Sequence, residues 1–248
     1  MKPYHLRYLL VLTTLLAASC AKNLFPAAQS HQYYVINQTI AADSQLMALL
    51  APYKIGVDTQ MKVVIGRTDN PLTKAQPEST LGNFMADAQL KSALQIDKKV
   101  VASVSNYGAI RLPMIPTGPL TRGTMYELMP FDNKITIIDI PGTVLKQFCD
   151  HMARAKGWPV SGIRYTIKDG KATDITISGA SVNDHIIYKV AVNDYIARGG
   201  DNCDFLVPLK KRYTTIFVRD ALINYVEELQ KRGQPLNPQI ENRVQYAE

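Results

Sequence analysis

The chain has 248 residues, of which 46% are hydrophobic and 20% charged, a balance that is ordinary for a soluble globular protein. Its formal net charge of +7 at pH 7 is a mild bias for this length, and no block of five or six like charges occurs. These features argue against nucleic acid as a partner, and the densest basic cluster, residues 210–212, is predicted to be a solvated loop.

The first nineteen residues have the plan of a secretory signal. Lys2 and Arg7 give a basic start, and the apolar run over residues 8–18 is shorter than the roughly 20 residues that cross a bilayer. The small residues before Cys20 resemble a bacterial lipobox, in which the cysteine becomes the acylated first residue of the mature protein. We therefore expect residues 1–19 to be a lipoprotein signal peptide; the alternative is an ordinary signal peptide that is cleaved nearby.

The residues after Cys20 are small and polar, so residues 20–31 are predicted to form a tether and residues 32–248 a single domain. We expect an exported protein that is lipid-anchored to a bacterial membrane. Because no acidic run follows the cysteine, the periplasmic side is the default expectation. Export permits a disulfide, but the sequence leaves open whether Cys149 and Cys203 come within bonding distance.

Within the domain, strand and helix patterns alternate along the chain. Apolar residues spaced three and four apart predict helices that begin near Ser79, Pro141 and Val218. Short β-branched or apolar runs predict strands over residues 62–68, 100–105, 134–140, 164–168, 174–178, 188–193 and 244–246. Because strand pairs occur beside helix crossovers, we infer an α+β, layered fold with a mixed β-sheet and packed helices.

A self-contained hydrolytic centre is not expected in this chain. Phosphohydrolases that use two metal ions need clustered Asp, His and Asn ligands. The four histidines are instead isolated: two lie in the signal and the tether, and His151 and His185 stand far apart. The sequence contains no Walker loop and no Gly-x-Ser-x-Gly motif. We therefore expect no metal and no cofactor to be held by the chain itself.

Three segments carry a resemblance to a known family. They are ESTLGNFMADA at 78–88, NYGAIR at 106–111 together with LTRGTMYELMPFDN at 120–133, and NDYIARGGD at 193–201. In order and spacing they resemble the C-terminal, substrate-binding domain of the 5'-nucleotidase family, which includes UDP-sugar hydrolases and surface ecto-nucleotidases. The resemblance runs from about residue 66 to the C-terminus and implies the layered fold of that domain.

The resemblance implies a substrate site of five residues. Phe131 and Tyr195 take the positions of two aromatic residues that clamp a nucleobase, and one base–ring stack contributes about 1–3 kcal/mol. Asn133 carries an amide that donates and accepts along a base edge. Asp201 follows two glycines and takes the place of an aspartate that accepts hydrogen bonds from the ribose hydroxyls. Arg111 takes the place of an arginine that binds phosphate.

Each of these residues also has a purely structural interpretation. The alternatives are a core position for Phe131, a half-buried position for Tyr195, a turn cap for Asn133, a bond to its own loop for Asp201, and a pair with Asp132 for Arg111. Three acidic or amide residues of the first segment are expected to be structural: Glu78, Asn83 and Asp87.

The chain departs from the family at four positions near the site, of which Tyr195 in place of a phenylalanine is conservative for stacking. Tyr107 and Ala109 stand where relatives usually have glycines, so their side chains are expected to narrow the loop or to change the phosphate contact. Relatives often carry an arginine shortly before the position of Glu78, where the nearest basic residue here is Lys74. Because an ammonium is a point charge and not a planar fork, no role is transferred to Lys74.

In the family, this domain follows an N-terminal metallophosphatase domain that holds two metal ions and performs the hydrolysis. About forty residues separate the predicted tether from the first clear match. We therefore expect the chain to be inactive alone, to bind a nucleotide or nucleoside, and to position it for a metallophosphatase on a separate chain, which would supply the divalent metals. The alternative is a solute-binding or scaffolding lipoprotein without a catalytic duty.

Overall fold

The computed structural model describes residues 32–37 and 40–247. The predicted signal peptide, the predicted lipidation site Cys20 and the predicted tether lie outside the described residues. Among the helices of the described ranges, none is both long enough and apolar enough to cross a membrane.

The described residues fall into two units, which divide between residues 48 and 49. The described residues of the first unit are exposed and include the start of helix α1, Ser44–Met61. The apolar periodicity does not predict α1, because its apolar residues are not confined to one face and none of its residues is buried. The predicted domain boundary after residue 31 stays a prediction.

The second unit is an α+β domain, as the sequence predicts. Its further helices are α2 Thr80–Ile96, α3 Arg122–Leu128, α4 Gly142–Arg154, α5 Asp194–Ala197 and α6 Val218–Lys231. Its strands are β1 Val64–Thr68, β2 Leu72–Thr73, β3 Val100–Val104, β4 Met114–Ile115, β5 Gly118–Thr121, β6 Lys134–Pro141, β7 Val160–Ser161, β8 Ile163–Lys168, β9 Lys171–Ile177, β10 Ala180–Ser181, β11 Ile187–Asn193, β12 Lys211–Phe217 and β13 Val244–Tyr246.

Local sequence signals set several of these boundaries as predicted. The Ser79 side chain caps α2 by accepting a hydrogen bond from the Gly82 N–H at 3.0 Å. Asp169 and Gly170 form the tight turn between β8 and β9, with φ angles of 51° and 73°. The prediction of a solvated loop over residues 210–212 is wrong in part, because Lys211 starts β12 at the edge of a sheet, where charged residues remain exposed.

The central sheet is mixed and has five strands in the order β12-β6-β11-β3-β7. Strands β3 and β11 run parallel, whereas β6 runs antiparallel to β11. The chain therefore leaves β3 and β11 at the same edge of the sheet at which it enters β6. The register places Asn193, the last residue of β11, opposite Ile135 near the start of β6. Loops that are distant in sequence consequently meet at this edge.

Two hydrophobic clusters pack on the central sheet, and alternate residues of β6 belong to different clusters. The first cluster contains Ile135 and Ile137 together with residues of α2 and α6. The second cluster contains Ile138 and Ile140 together with residues of α4. Because successive strand residues point to opposite faces, the two clusters cover opposite faces of the sheet.

A second sheet has four strands in the order β10-β9-β8-β13. Strand β13 pairs in parallel with β8 and ends the sheet, which confirms the predicted edge strand near the C-terminus. Two short ladders, β1 with β5 and β2 with β4, complete the sheets of the described residues.

Candidate functional site

A cleft of about 360 Å³ opens where the loops after β3 and β11 meet the loop before β6. This volume lies within the range of small-molecule sites, about 300–1,000 Å³. The cleft contains all five predicted substrate residues, although Arg111 and Asp201 are 90 positions apart in sequence. Its lining residues are Asn106, Gly108, Ala109, Arg111, Phe131, Asn133, Tyr195 and Asp201. The structure thus brings these side chains together, and their roles in binding stay predictions.

The two aromatic residues of the cleft are exposed. Phe131 is 39% exposed and Tyr195 is 46% exposed, so Phe131 is not a core residue. The Tyr195 ring rests on Gly200, since a Cβ atom added to that glycine would lie 2.5 Å from the ring. Glycine is therefore required for this close approach, and the ring lines the cleft while the loop supports it.

The carboxylate of Asp201 is held by two side chains. The Tyr195 hydroxyl donates to Oδ1 at 2.8 Å, and the Asn106 amide donates to Oδ2 at 2.7 Å. The bond to Tyr195 raises the pKa of that phenol above its ordinary value, because the donated proton is stabilised. Asp201 therefore bonds within its own segment, as one alternative predicted, and also to a residue outside it.

Asn106 is a residue of the cleft that the sequence analysis did not single out. It is 6% exposed, and its side-chain oxygen accepts a hydrogen bond from the Asn193 amide at 3.0 Å. Asn193 in turn caps α5 by accepting from the Ile196 N–H at 2.9 Å. A chain of polar contacts thus runs from the α5 cap to Asp201. The available signal was an asparagine directly after a buried strand, at the start of the NYGAIR segment.

Arg111 reaches the cleft from the loop that follows β3. Its guanidinium carbon lies 5.6 Å from the centroid of the Phe131 ring, within the range of a cation–π contact. The alternative pair of Arg111 with Asp132 is not formed, because Asp132 accepts from Arg219 at 2.9 Å instead. Among the described residues Arg111 has no carboxylate partner, so its charge is available to an anion.

Lys74 adds a second positive charge beside Arg111. Its ammonium donates to the Ile110 carbonyl at 2.7 Å and lies 4.1 Å from the centroid of the Tyr107 ring. Burial and the charge of Arg111 lower the pKa of Lys74 below its ordinary value. The two cations repel each other, and an anion bound at Arg111 would relieve that repulsion.

Tyr107, Ala109 and Asn133 differ in how they lie relative to the cleft. Tyr107 does not line the cleft and instead lines a separate crevice with Ser79 and Trp158. Ala109 does line the cleft. The side-chain amide of Asn133 makes no hydrogen bond to any residue of the described ranges, so it is not the cap of a turn.

The acidic residues of the first segment lie outside the cleft and tie α2 to the C-terminal segment. The Glu78 carboxylate accepts from the backbone N–H groups of Glu241 at 2.9 Å and Arg243 at 2.8 Å. Asp87 accepts two hydrogen bonds from the guanidinium of Arg243, at 2.7 and 2.9 Å. Asn83 donates to Glu78 at 2.6 Å. These contacts are structural and buttress the helix that packs on the central sheet.

The described residues do not fit the two-metal centre of a phosphohydrolase. Within residues 32–37 and 40–247, no group of three or more His, Cys, Asp or Glu side chains is placed to hold a metal ion. His151 packs instead against Trp158, with 5.4 Å between the ring centroids. Cys149 and Cys203 are both free and buried, and burial raises the pKa of the Cys203 thiol to about 12.

Comparisons with known proteins identify the family to which the chain is similar. The sequence profile of the family described as 5'-nucleotidase, C-terminal domain matches residues 64–208, more than half of the chain. A 5'-nucleotidase from Diplobatis ommata is 27% identical over 245 residues, which are 86% of this chain and 42% of that protein. The trifunctional nucleotide phosphoesterase protein YfkN from Bacillus subtilis is 28% identical over 195 residues, which are 72% of this chain and 13% of that protein.

A solved structure of a 5'-nucleotidase is also similar to the chain. The 5'-nucleotidase precursor from Thermus thermophilus superimposes with a TM-score of 0.70 at 26% identity, covering 81% of this chain and 42% of that chain. The chain thus spans less than half the length of these three relatives.

Proposed function

The chain belongs to the 5'-nucleotidase C-terminal domain family, and on that premise we propose that its cleft binds a nucleotide or nucleoside. The observation that carries the proposal is the convergence of two exposed aromatic rings, an unbonded amide, a carboxylate and an unpaired guanidinium on one cleft. A nucleotide offers a matching part for each of them: a flat base, a base edge, a ribose diol and a phosphate.

Each side chain has a proposed part in binding. The base stacks between Phe131 and Tyr195, each stack contributing about 1–3 kcal/mol, and its edge faces Asn133. The ribose hydroxyls donate to Asp201, and the phosphate lies toward Arg111, with Lys74 adding positive charge at the same end. The partly exposed rings leave room for the base to enter without unfolding of the loops.

We propose further that hydrolysis of the phosphate ester takes place on metal ions held by a metallophosphatase domain on a partner chain. The family resemblance supports the involvement of a metallophosphatase domain, and its placement on a separate chain is part of the proposal. The work of this chain would be positioning: the binding energy at the base and ribose holds the phosphate in one orientation. No metal-bound step is assigned to the described residues, which offer no ligand set for it.

We also propose that the protein is exported and lipid-anchored through Cys20, on the periplasmic side of a bacterial membrane. The basic start, the short apolar run and the small residues before the cysteine support this proposal. The described domain would then be tethered close to the membrane surface.

Calorimetric titration of the full-length protein with adenosine and with AMP, without metal, tests the binding site. We expect saturable binding that Phe131→Ala and Tyr195→Ala each weaken about 5- to 100-fold, because each removes one stack. Tyr213→Ala is the matched control, since Tyr213 is 52% exposed on β12 and does not line the cleft. Absence of binding by the unaltered protein, or equal losses in all three variants, would overturn the proposal.

A hydrolysis assay distinguishes the proposed positioning role from the solute-binding alternative. AMP hydrolysis that rises when the protein is added to a metallophosphatase domain lacking a C-terminal domain supports the positioning role. Intact AMP binding with no gain in hydrolysis supports the solute-binding alternative.

A further inference from the structure

The Tyr195 hydroxyl makes two contacts with the same residue. It donates to Oδ1 of Asp201 at 2.8 Å and accepts from the backbone N–H of Asp201 at 3.2 Å. A phenylalanine at this position would keep the ring and lose both contacts. The hydroxyl therefore has a structural consequence that stacking does not explain.

The loop that carries Asp201 needs such support. Gly199, Asp201 and Asn202 have φ angles of 95°, 52° and 62°, in the left-handed region that disfavours residues other than glycine. Asp and Asn tolerate this region better than other side chains, but two such residues in succession still depend on surrounding contacts. At Asp201 the side chain is held by the Tyr195 hydroxyl and the Asn106 amide, and the backbone is contacted by the Tyr195 hydroxyl, the Cys203 thiol and His151.

These contacts also leave a specific set of acceptor positions on Asp201. A carboxylate has two oxygens with about four acceptor positions in total. One position on Oδ1 is taken by Tyr195 and one on Oδ2 by Asn106, so each oxygen keeps a remaining position. Since Asp201 lines the cleft, the remaining pair suits a ligand with two adjacent hydroxyls.

We propose that the Tyr195 hydroxyl is a positioning group that fixes Asp201 to receive a cis-diol, and thereby sets the preference for ribose over 2'-deoxyribose. This inference rests on the proposed nucleotide binding. Asn106 acts on the other carboxylate oxygen in the same way, and the α5 cap at Asn193 holds Asn106 in turn. The hydroxyl acts through Asp201 and does not contact the sugar.

The test compares AMP with 2'-deoxy-AMP as calorimetric probes on the full-length Tyr195→Phe variant. The unaltered protein is expected to bind AMP more tightly than 2'-deoxy-AMP. In the variant we expect AMP binding to weaken about tenfold, the lower end of the range for a hydrogen bond to a charged group, because the site is partly exposed. Binding of 2'-deoxy-AMP is expected to change by less than about twofold, because the stacking ring is kept. The preference for ribose therefore falls.

Tyr213→Phe is the control, because its exposed hydroxyl makes no hydrogen bond within the described residues and it lies outside the cleft. An unchanged AMP to 2'-deoxy-AMP ratio in Tyr195→Phe, or equal weakening of both ligands, overturns the inference and leaves the proposed function standing. Failure of the unaltered protein to bind either nucleotide overturns both.

Hydrogen exchange without ligand provides a second measurement. The backbone N–H of Asp201 is expected to exchange faster in Tyr195→Phe than in the unaltered protein, because its acceptor is lost. Equal exchange over residues 199–206 would mean that the hydroxyl does not hold the loop, and would overturn the inference without reference to any ligand.

Discussion

Replacement of Gly200 by alanine tests whether this glycine is needed for the position of the Tyr195 ring. An alanine Cβ would lie 2.5 Å from Cε1 and 2.6 Å from Cζ of the Tyr195 ring, whereas non-bonded carbon atoms pack at about 3.5–4.0 Å. The ring must therefore retreat by about 1 Å. Because Tyr195 is 46% exposed, it has room to move, and the cost in folding free energy is expected to be small.

The retreat has a larger effect on binding. It would lengthen the 2.8 Å bond from the Tyr195 hydroxyl to Asp201 beyond hydrogen-bond distance and tilt the stacking face. A lost charge-assisted hydrogen bond and a weakened stack together amount to about 1.5–3 kcal/mol, so AMP affinity is expected to fall roughly 10- to 100-fold.

Calorimetry with AMP and thermal unfolding of the same samples measure the two effects separately. Gly56→Ala is the matched control, because a Cβ at Gly56 in α1 meets no atom within 4 Å. Unchanged AMP affinity in Gly200→Ala would refute the argument that the ring is held against this glycine. A large drop in the unfolding temperature would show instead that the loop, and not the ring, gives way.

Two further predictions concern a histidine and the proposed lipid anchor. Burial, opposed in part by a hydrogen bond with the Asp201 backbone, lowers the pKa of His151 in the folded protein. Stability is therefore lost as pH falls through about 6.5, because the unfolded chain binds the proton more readily than the folded one. The fluorescence of Trp158, the single tryptophan, should titrate with a midpoint below 6.5 and lose this titration in His151→Gln; a midpoint at or above 6.5 contradicts the expectation. Metabolic labelling with a fatty acid should mark the protein and fail in Cys20→Ser, and equal labelling of both would exclude this anchor.

The periodic part of the fold was predictable because burial selects it. Strand β6 and helix α6 have apolar residues that face one cluster or the other, and their sequence periods reveal this directly. Helix α1 escaped prediction because it buries no face. Strand β12 escaped because an edge strand keeps charged residues exposed, so its first residues have the pattern of a loop.

The sequence predicted five residues that line the cleft, but not which hydrogen bonds join them. The resemblance named the five substrate residues, and the structure places them on one cleft. The hydrogen bond from Asn106 to Asp201 joins loops that are 95 positions apart in sequence. Tyr107, by contrast, lines a separate crevice. Such contacts depend on which strands are neighbours, and the strand order did not follow from the sequence pattern.

The strand order also explains how one cleft obtains two aromatic residues from segments that are distant in sequence. A base between two rings needs about 7 Å between the ring planes, twice a carbon contact distance, which exceeds the strand spacing of about 4.8 Å. Phe131 lies before β6 and Tyr195 lies in α5, directly after β11, so the strand spacing does not fix the distance between the two rings. Phe131 follows Met129 of the first cluster, and Tyr195 precedes Ile196 of the second. Since these clusters cover opposite faces of the sheet, the two segments that carry Phe131 and Tyr195 are anchored in different parts of the core.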